Sequence, residues 1–172
     1  MTAHEVSQQL LDETYPLTED DVVRYEQDGW IRLPGLLDAP TVAELNERFD
    51  GLYDKIRQTG TPGDPYFTDG RYHRQHRIFN DPSRLDEVFQ AVAMSERITS
   101  VARRLTRSER VLYLRSTVFE KPAEDSLPTT IHQDYPYLPF DRSGSMQFWI
   151  ALHDLPAASG TLRFVSGSHR QY

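Results

Sequence analysis

The stretch that decides the fold lies between residues 130 and 170, where short polar motifs flank an apolar run. In chain order it contains His132-Gln133-Asp134, Gln147-Phe148-Trp149-Ile150-Ala151-Leu152, Ser159-Gly160-Thr161-Leu162 and Ser166-Gly167-Ser168-His169. Strand side chains alternate between two faces, so a His-x-Asp on a strand places its imidazole and its carboxylate on the same face. Those two groups are two of the three ligands in the 2-His-1-carboxylate site of non-haem Fe(II) oxygenases. A hydrogen-bonded histidine without a metal is the competing interpretation, because so short a motif also arises by chance.

The C-terminal part of the chain carries most of the strand candidates. Runs of β-branched and aromatic residues, separated by turn residues, predict strands at 111–119, 129–134, 146–153 and 161–165. Residues 30–33 add a further short candidate, closed by Pro34-Gly35.

The N-terminal part predicts helices. Thr18-Glu19-Asp20-Asp21 is a capping pattern that opens a helix ending near Gly29, after a polar lead-in over residues 1–17. The clearest helix starts near Ala39 and stops by Gly60, and one face of it collects the apolar residues Val42, Leu45, Phe49, Leu52 and Ile56. Further helices are expected after a capping pattern at Ser83 and Asp86, and after Ser95.

Composition excludes several classes of function. The 172 residues predict a single domain, and they include no cysteine, so disulfides and thiolate chemistry are ruled out. The formal net charge of −7 argues against binding to nucleic acid. No apolar run is long enough to predict a membrane span, and the polar start of the chain does not resemble a signal peptide, so a cytoplasmic location is expected.

Several motifs in their order along the chain resemble the phytanoyl-CoA dioxygenase family. The motifs are Leu17-Thr18-Glu19-Asp20, Asp28-Gly29-Trp30-Ile31, Leu33-Pro34-Gly35, the His132-Gln133-Asp134 segment with its Tyr-Pro-rich continuation, Trp149-Ile150-Ala151-Leu152, Ser159-Gly160-Thr161-Leu162 and Ser166-Gly167-Ser168-His169. Together they span most of the chain, and a series of motifs in order is far more specific than any one of them.

The resemblance implies a mainly β fold with N-terminal helices (α+β), built around a double-stranded β-helix of the jelly-roll, cupin-like type. Within a single domain of residues 1–172, we expect the lead-in at 1–17, a mostly helical part at 18–106 and the first half of the β-helix at 107–172. The resemblance also implies an Fe(II)- and 2-oxoglutarate-dependent dioxygenase, with His132 and Asp134 as catalytic metal ligands.

Other roles follow from the resemblance alone. Thr117, Trp149 and Arg77 correspond to positions near 2-oxoglutarate in relatives, although ordinary core or surface residues are the alternative at each. Tyr135, Tyr137 and Phe140 are candidates for a substrate wall, or equally for packing in a β-rich core. The Gly-Ser-His motif is structural in the family, so His169 is not expected to bind the metal.

Some family features do not occur in this sequence. The third ligand histidine and the arginine that pairs with 2-oxoglutarate follow the Gly-Ser-His motif in the family, so we expect them and the remaining strands beyond Tyr172. A non-catalytic β-helix binding module, or a fragment needing a complementing segment, is the alternative. The expected partners are O2 and a small organic substrate, such as a natural-product intermediate; hydroxylation, desaturation, epoxidation and cyclisation all remain open.

Overall fold

The computed structural model describes residues 3–59, 67–68, 77–121, 129–134, 136 and 144–171. Five helices and three short strands follow one another along the described residues. They are α1 (Ala3–Asp12), α2 (Glu19–Asp28), α3 (Ala39–Thr59), β1 (Phe67–Thr68), β2 (Arg77–Asn80), α4 (Glu87–Met94), α5 (Glu96–Leu105) and β3 (Thr117–Glu120). The helical elements therefore precede most of the irregular C-terminal part.

Local capping explains where three of the helices begin and end. The Thr18 hydroxyl accepts from the Asp21 N–H at 3.2 Å and the Asp21 carboxylate accepts from the Thr18 N–H at 3.0 Å, which is the capping box predicted for α2. At the start of α5 the Ser95 hydroxyl accepts from the Ile98 N–H and so caps this helix. For α4 the prediction is only half right: Asp86 is the cap, whereas Ser83 lies in a separate 3-10 turn, Pro82–Arg84.

The hydrophobic core consists of two clusters. The first is built on α2 and α5 and contains Leu17, Val22, Leu36, Ile98, Val101 and Leu105. The second joins α1, α3 and α4 through Leu11, Leu45, Val88, Phe89 and Val92. Residues 1–17, expected as a polar lead-in, thus include a helix whose Leu11 is buried. Burial of these side chains is the main force holding the helices together.

A buried arginine joins the N-terminal segments to α5. Arg97 is 8% exposed and donates to three backbone carbonyls, those of Leu36 at 2.9 Å, Gly35 at 2.9 Å and Thr14 at 3.1 Å. Its guanidinium also lies 5.1 Å from the centre of the Tyr15 ring. These contacts anchor Gly35 and Leu36. The strand predicted at 30–33 is wrong, because these residues form no β-ladder in the described part of the chain.

The strands of the described residues form one antiparallel sheet in the order β1-β2-β3. In the register of β2 and β3, Asn80 is opposite Thr117 and Arg77 is opposite Glu120. The strand predicted at 111–119 is therefore mostly wrong, since pairing starts only at Thr117. A strand is defined by a partner at hydrogen-bonding distance. The segments predicted as strands at 129–134, 146–153 and 161–165 have no such partner in the described residues and form no ladder there.

Residues 146–150 nevertheless keep the alternation of a strand. Met146, Phe148 and Ile150 are partly buried against the first core cluster, while Gln147 and Trp149 are exposed. The side chains of the described residues thus alternate as they would in a strand, although the segment forms no ladder there. On the exposed side, Gln147 contacts Asp134.

Candidate metal centre

His132 and Asp134 lie side by side, as the His-x-Asp pattern predicts. The His132 Nε2 atom is 3.0 Å from Asp134 Oδ1, and both side chains are 46% exposed. Gln133, between them, points elsewhere and donates to backbone carbonyls of residues 168 and 171. The period-two alternation thus holds for the side chains even though no ladder includes this segment.

The hydrogen bonds around the imidazole favour a cation between the two residues. His132 Nδ1 lies 2.7 Å from the Thr130 carbonyl oxygen, which can only accept, so Nδ1 carries a proton. A neutral imidazole then has a lone pair at Nε2, and this lone pair faces a carboxylate oxygen, itself an acceptor. A cation bound between the two atoms would satisfy both acceptors. A histidine whose other ring N–H is held by a backbone carbonyl is the usual arrangement of a metal ligand.

The spacing of the two donor atoms fits a shared metal ion. Donors bound at about 2.1 Å from one metal and at a right angle to each other lie about 3.0 Å apart. The His132 Nε2 to Asp134 Oδ1 distance is 3.0 Å. The chemistry of the pair, one imidazole and one carboxylate, also matches two ligands of the facial site. The residues present therefore fit the metal that the sequence predicts.

Gln147 completes the surroundings of the carboxylate. Its Nε2 atom donates to Asp134 Oδ2 at 2.7 Å, so each carboxylate oxygen has a different neighbour. Sequence reasoning missed this residue. The available signal was that Gln147 lies two positions before Trp149, on the exposed side of an alternating segment.

The Gly-Ser-His segment plays the structural role expected of it. Gly167 N–H donates to the Asp28 carbonyl at 2.8 Å, Arg170 donates to the Glu26 carbonyl at 2.6 Å, and His169 Nε2 lies 3.2 Å from that same oxygen. Carbonyls in the last turn of a helix lack intrahelical partners, and these bonds satisfy them for α2. His169 is thus engaged at a helix end.

The structure places the other predicted residues in different parts of the fold. Thr117 opens β3 and Arg77 opens β2, at opposite ends of the same two-strand ladder. Trp149 is 47% exposed and follows Gln147 on the same side of the 146–150 segment. Tyr135, Tyr137 and Phe140 lie outside the described residues, so their expected place in a substrate wall stays a prediction.

Across the described residues, no group of three histidine, cysteine, aspartate or glutamate side chains is positioned to hold a metal ion. The pair His132–Asp134 is thus a partial ligand set in this part of the chain. None of the described helices is long and apolar enough to cross a membrane.

The described residues thus bring together an imidazole, a carboxylate and an amide donor. Comparison with known proteins gives the family: the phytanoyl-CoA dioxygenase (PhyH) family model matches residues 25–172, and the chain belongs to this family. Enzymes of this family are in general Fe(II)- and 2-oxoglutarate-dependent dioxygenases, which act with O2 on small molecules. The resemblance predicted from the sequence motifs is confirmed.

Two curated relatives carry the name phytanoyl-CoA dioxygenase domain-containing protein 1. The Danio rerio protein is 22% identical over 192 aligned positions, and the Bos taurus protein is 23% identical over the same length. Each alignment covers 89% of this chain and 66% of the relative, so the chain spans about two thirds of the relatives' length. No solved structure gives a significant match.

Proposed function

We propose that this chain carries His132 and Asp134 as two Fe(II) ligands of a 2-oxoglutarate-dependent dioxygenase built on a double-stranded β-helix. The observation that carries the proposal is the 3.0 Å approach of His132 Nε2 to Asp134 Oδ1, with Nδ1 already engaged by the Thr130 carbonyl. Membership of the family is the ground for proposing Fe(II) as the cofactor and 2-oxoglutarate as the co-substrate. In this proposal, the third metal ligand lies outside the described residues.

Each residue near the centre has a distinct task in this proposal. The Thr130 carbonyl fixes the tautomer of His132, so that Nε2 is free to bind a metal. Asp134 contributes negative charge through Oδ1. Bound Fe(II) would supply the redox chemistry that couples O2 and 2-oxoglutarate to oxidation of the substrate, with succinate and CO2 as co-products.

Trp149, Thr117 and Arg77 are the proposed co-substrate residues. Trp149 has the strongest support, because it shares a side of the 146–150 segment with Gln147, which contacts Asp134. Thr117 and Arg77 lie on adjacent strands, and a hydroxyl and a guanidinium are suitable partners for the carboxylates of 2-oxoglutarate. Tyr135, Tyr137 and Phe140, next to the metal motif, are proposed to contact the substrate.

The proposed substrate is a small organic molecule, and a natural-product intermediate is our preference. The net charge of −7 disfavours a strongly anionic substrate. Tyrosines and prolines following the metal motif suit a bulky, partly apolar molecule. A cytoplasmic location remains part of the proposal.

The decisive test is succinate formation from 2-oxoglutarate by the complete natural gene product, with added Fe(II) and without a defined substrate. The assay follows the co-substrate, so it needs no knowledge of the substrate. His132→Ala and Asp134→Ala should both abolish succinate formation. Their free energies of unfolding should stay within about 0.5 kcal/mol of the wild type, because both side chains are exposed. Equal succinate formation by His132→Ala would refute the site assignment.

The alternative function is a non-catalytic β-helix module that binds a ligand or partner, or a fragment that needs a complementing segment. The same samples separate it from the oxygenase. Retention of Fe(II) together with succinate formation rules it out. A protein that retains no Fe(II), forms no succinate and folds cooperatively would support it instead.

A further inference from the structure

We propose that Gln147 is a positioning residue that makes Asp134 a one-oxygen ligand of the metal. The proposal rests on the proposed function, since it concerns the same centre. Its basis is the division of the carboxylate: Oδ2 accepts from Gln147 Nε2 at 2.7 Å, while Oδ1 lies 3.0 Å from His132 Nε2. Among the described residues, Oδ2 therefore contacts Gln147, and Oδ1 is the oxygen that faces His132.

Without the hydrogen bond from Gln147, the Asp134 carboxylate would have no strong preference for this orientation. The terminal torsion of an aspartate has a broad, roughly two-fold preference, so either oxygen can face a cation. Carboxylates also bind metals through one oxygen or through both. A hydrogen bond of 2.7 Å to Oδ2 favours Oδ1 as the ligand oxygen, because it fixes the plane of the group with Oδ1 on the side of His132 and occupies one lone pair of Oδ2.

The number of oxygens that Asp134 offers matters for the chemistry. The facial site keeps positions open for its other reactants. A carboxylate that bound through both oxygens would occupy a further position and leave fewer open. Gln147 thereby acts through Asp134 and does not need to contact the metal.

Gln147 is well placed to hold this contact because its backbone is anchored on both sides. Its neighbours Met146 and Phe148 are partly buried against the first core cluster. The side chain of Gln147 itself is exposed and reaches a residue thirteen positions earlier in the chain. Because the backbone of Gln147 is already held by the core, its side-chain donor loses little entropy when it binds Asp134. The hydrogen bond in turn restricts the orientation of the exposed Asp134 carboxylate.

The test compares Gln147→Met with Gln90→Met in the complete natural gene product, using Co(II) as a spectroscopic probe in place of Fe(II). Methionine keeps the length of the unbranched side chain and lacks the amide donor. Gln90 is an exposed glutamine of α4 and serves as the matched control. We expect Gln147→Met to weaken Co(II) binding by about 10- to 100-fold and to shift the visible bands of bound Co(II). Gln90→Met should change neither.

Unchanged Co(II) affinity and an unchanged spectrum in Gln147→Met would overturn the inference while leaving the metal site intact. A wild-type protein that binds no Co(II) would instead overturn the metal site and the inference together. The unfolding midpoint of the metal-free proteins is the third measurement. If Gln147→Met were clearly less stable without metal, a structural role would explain the loss of affinity, and the positioning role would be rejected.

Discussion

Gly29 and His169 pack so closely that a Cβ atom at position 29 would overlap the imidazole ring. Gly29 ends α2 with φ at +80°, and its N–H donates to the Tyr25 carbonyl at 2.8 Å. The His169 ring lies over this turn, with Nε2 at 3.2 Å from the Glu26 carbonyl. The Asp28-Gly29 turn and the Gly-Ser-His motif, 140 residues apart in the sequence, therefore pack directly against each other.

We expect Gly29→Ala to lower the free energy of unfolding by about 2 kcal/mol or more. A left-handed conformation costs a residue with a Cβ about 1–2 kcal/mol, and overlap with His169 adds to this cost. Urea unfolding followed by circular dichroism measures the change.

Two other glycines separate the causes. Gly35 has φ at +69°, and no described residue would contact a Cβ atom added there, so Gly35→Ala should cost only the backbone strain, about 1 kcal/mol. Gly51 lies within α3, where an added Cβ atom would also contact none of the described residues, so Gly51→Ala should stabilise by about 0.5–1 kcal/mol. Equal losses for Gly29→Ala and Gly35→Ala would show that the contact with His169 contributes nothing.

Arg97→Met should destabilise the fold by about 2–4 kcal/mol. The substitution leaves the Leu36, Gly35 and Thr14 carbonyls without their guanidinium donor in a part-buried environment and removes the contact with Tyr15. Arg97→Lys should recover only part of this, since an ammonium cannot reproduce the planar fork that reaches three acceptors. Chemical denaturation provides the measurement.

Arg84→Met is the matched control for Arg97→Met. The Arg84 side chain is 65% exposed and its Nε atom lies 3.8 Å from Asp81 Oδ2. An exposed pair of this length contributes little, so the loss should stay within about 0.5 kcal/mol. A loss for Arg97→Met no larger than this would contradict the role assigned to the buried guanidinium.

The stabilising effect of Arg107 should depend on pH. Arg107 donates to Glu26 and to Glu19, the latter at 2.7 Å, and the hydrogen bond from Arg107 holds the pKa of Glu26 below its ordinary value of 4.5. A lowered carboxyl pKa stabilises the fold above the ordinary value, and this contribution is lost as the pH falls through the lowered one. Wild type and Arg107→Gln should therefore differ in stability at neutral pH and converge as the pH falls below the lowered pKa of Glu26.

Salt provides an independent check on the same pair of proteins. These side chains are exposed, so about 1 M salt should screen most of the difference at neutral pH. A stability difference that persisted at low pH and in high salt would mean that Arg107 acts through packing and not through its charge.

Gln133→Met should loosen the contact between the 166–171 turn and the His132–Asp134 segment. Gln133 Nε2 donates to the Ser168 carbonyl at 3.0 Å and to the Gln171 carbonyl at 3.1 Å. Because these groups are exposed, the expected loss is small, about 0.5–1.5 kcal/mol. Amide hydrogen exchange should become faster in 166–171 while that of α4 is unchanged. Unaltered exchange in the turn would show that other contacts alone hold it.

Local chemistry made several elements predictable. The capping box at Thr18 and Asp21, the caps at Asp86 and Ser95, and the apolar stripe of α3 depend on residues within a few positions of each other. The same holds for His132 and Asp134, whose shared side follows from their spacing. A short-range pattern suffices wherever the interacting groups are close in sequence.

Pairing between distant segments was not predictable in this way. The strands expected at 111–119 and 146–153 have the right composition, but a ladder also needs a partner, and composition does not name one. Conversely, no strand is predicted from the sequence over β1 and β2, which lie in and next to a stretch rich in glycine and proline. Strand identity depends on tertiary context more than helix identity does.

The sequence by itself determined the family, the helical N-terminal part and the imidazole–carboxylate pair, because ordered motifs, caps and the two-residue period of side chains act over short distances. Only the tertiary structure decided that Gln147 contacts the second oxygen of Asp134, that Gln133 joins its segment to residues 168 and 171, and that His169 packs on Gly29. Each of these contacts joins residues at least 13 positions apart, and the free energy that selects them comes from packing of the whole chain.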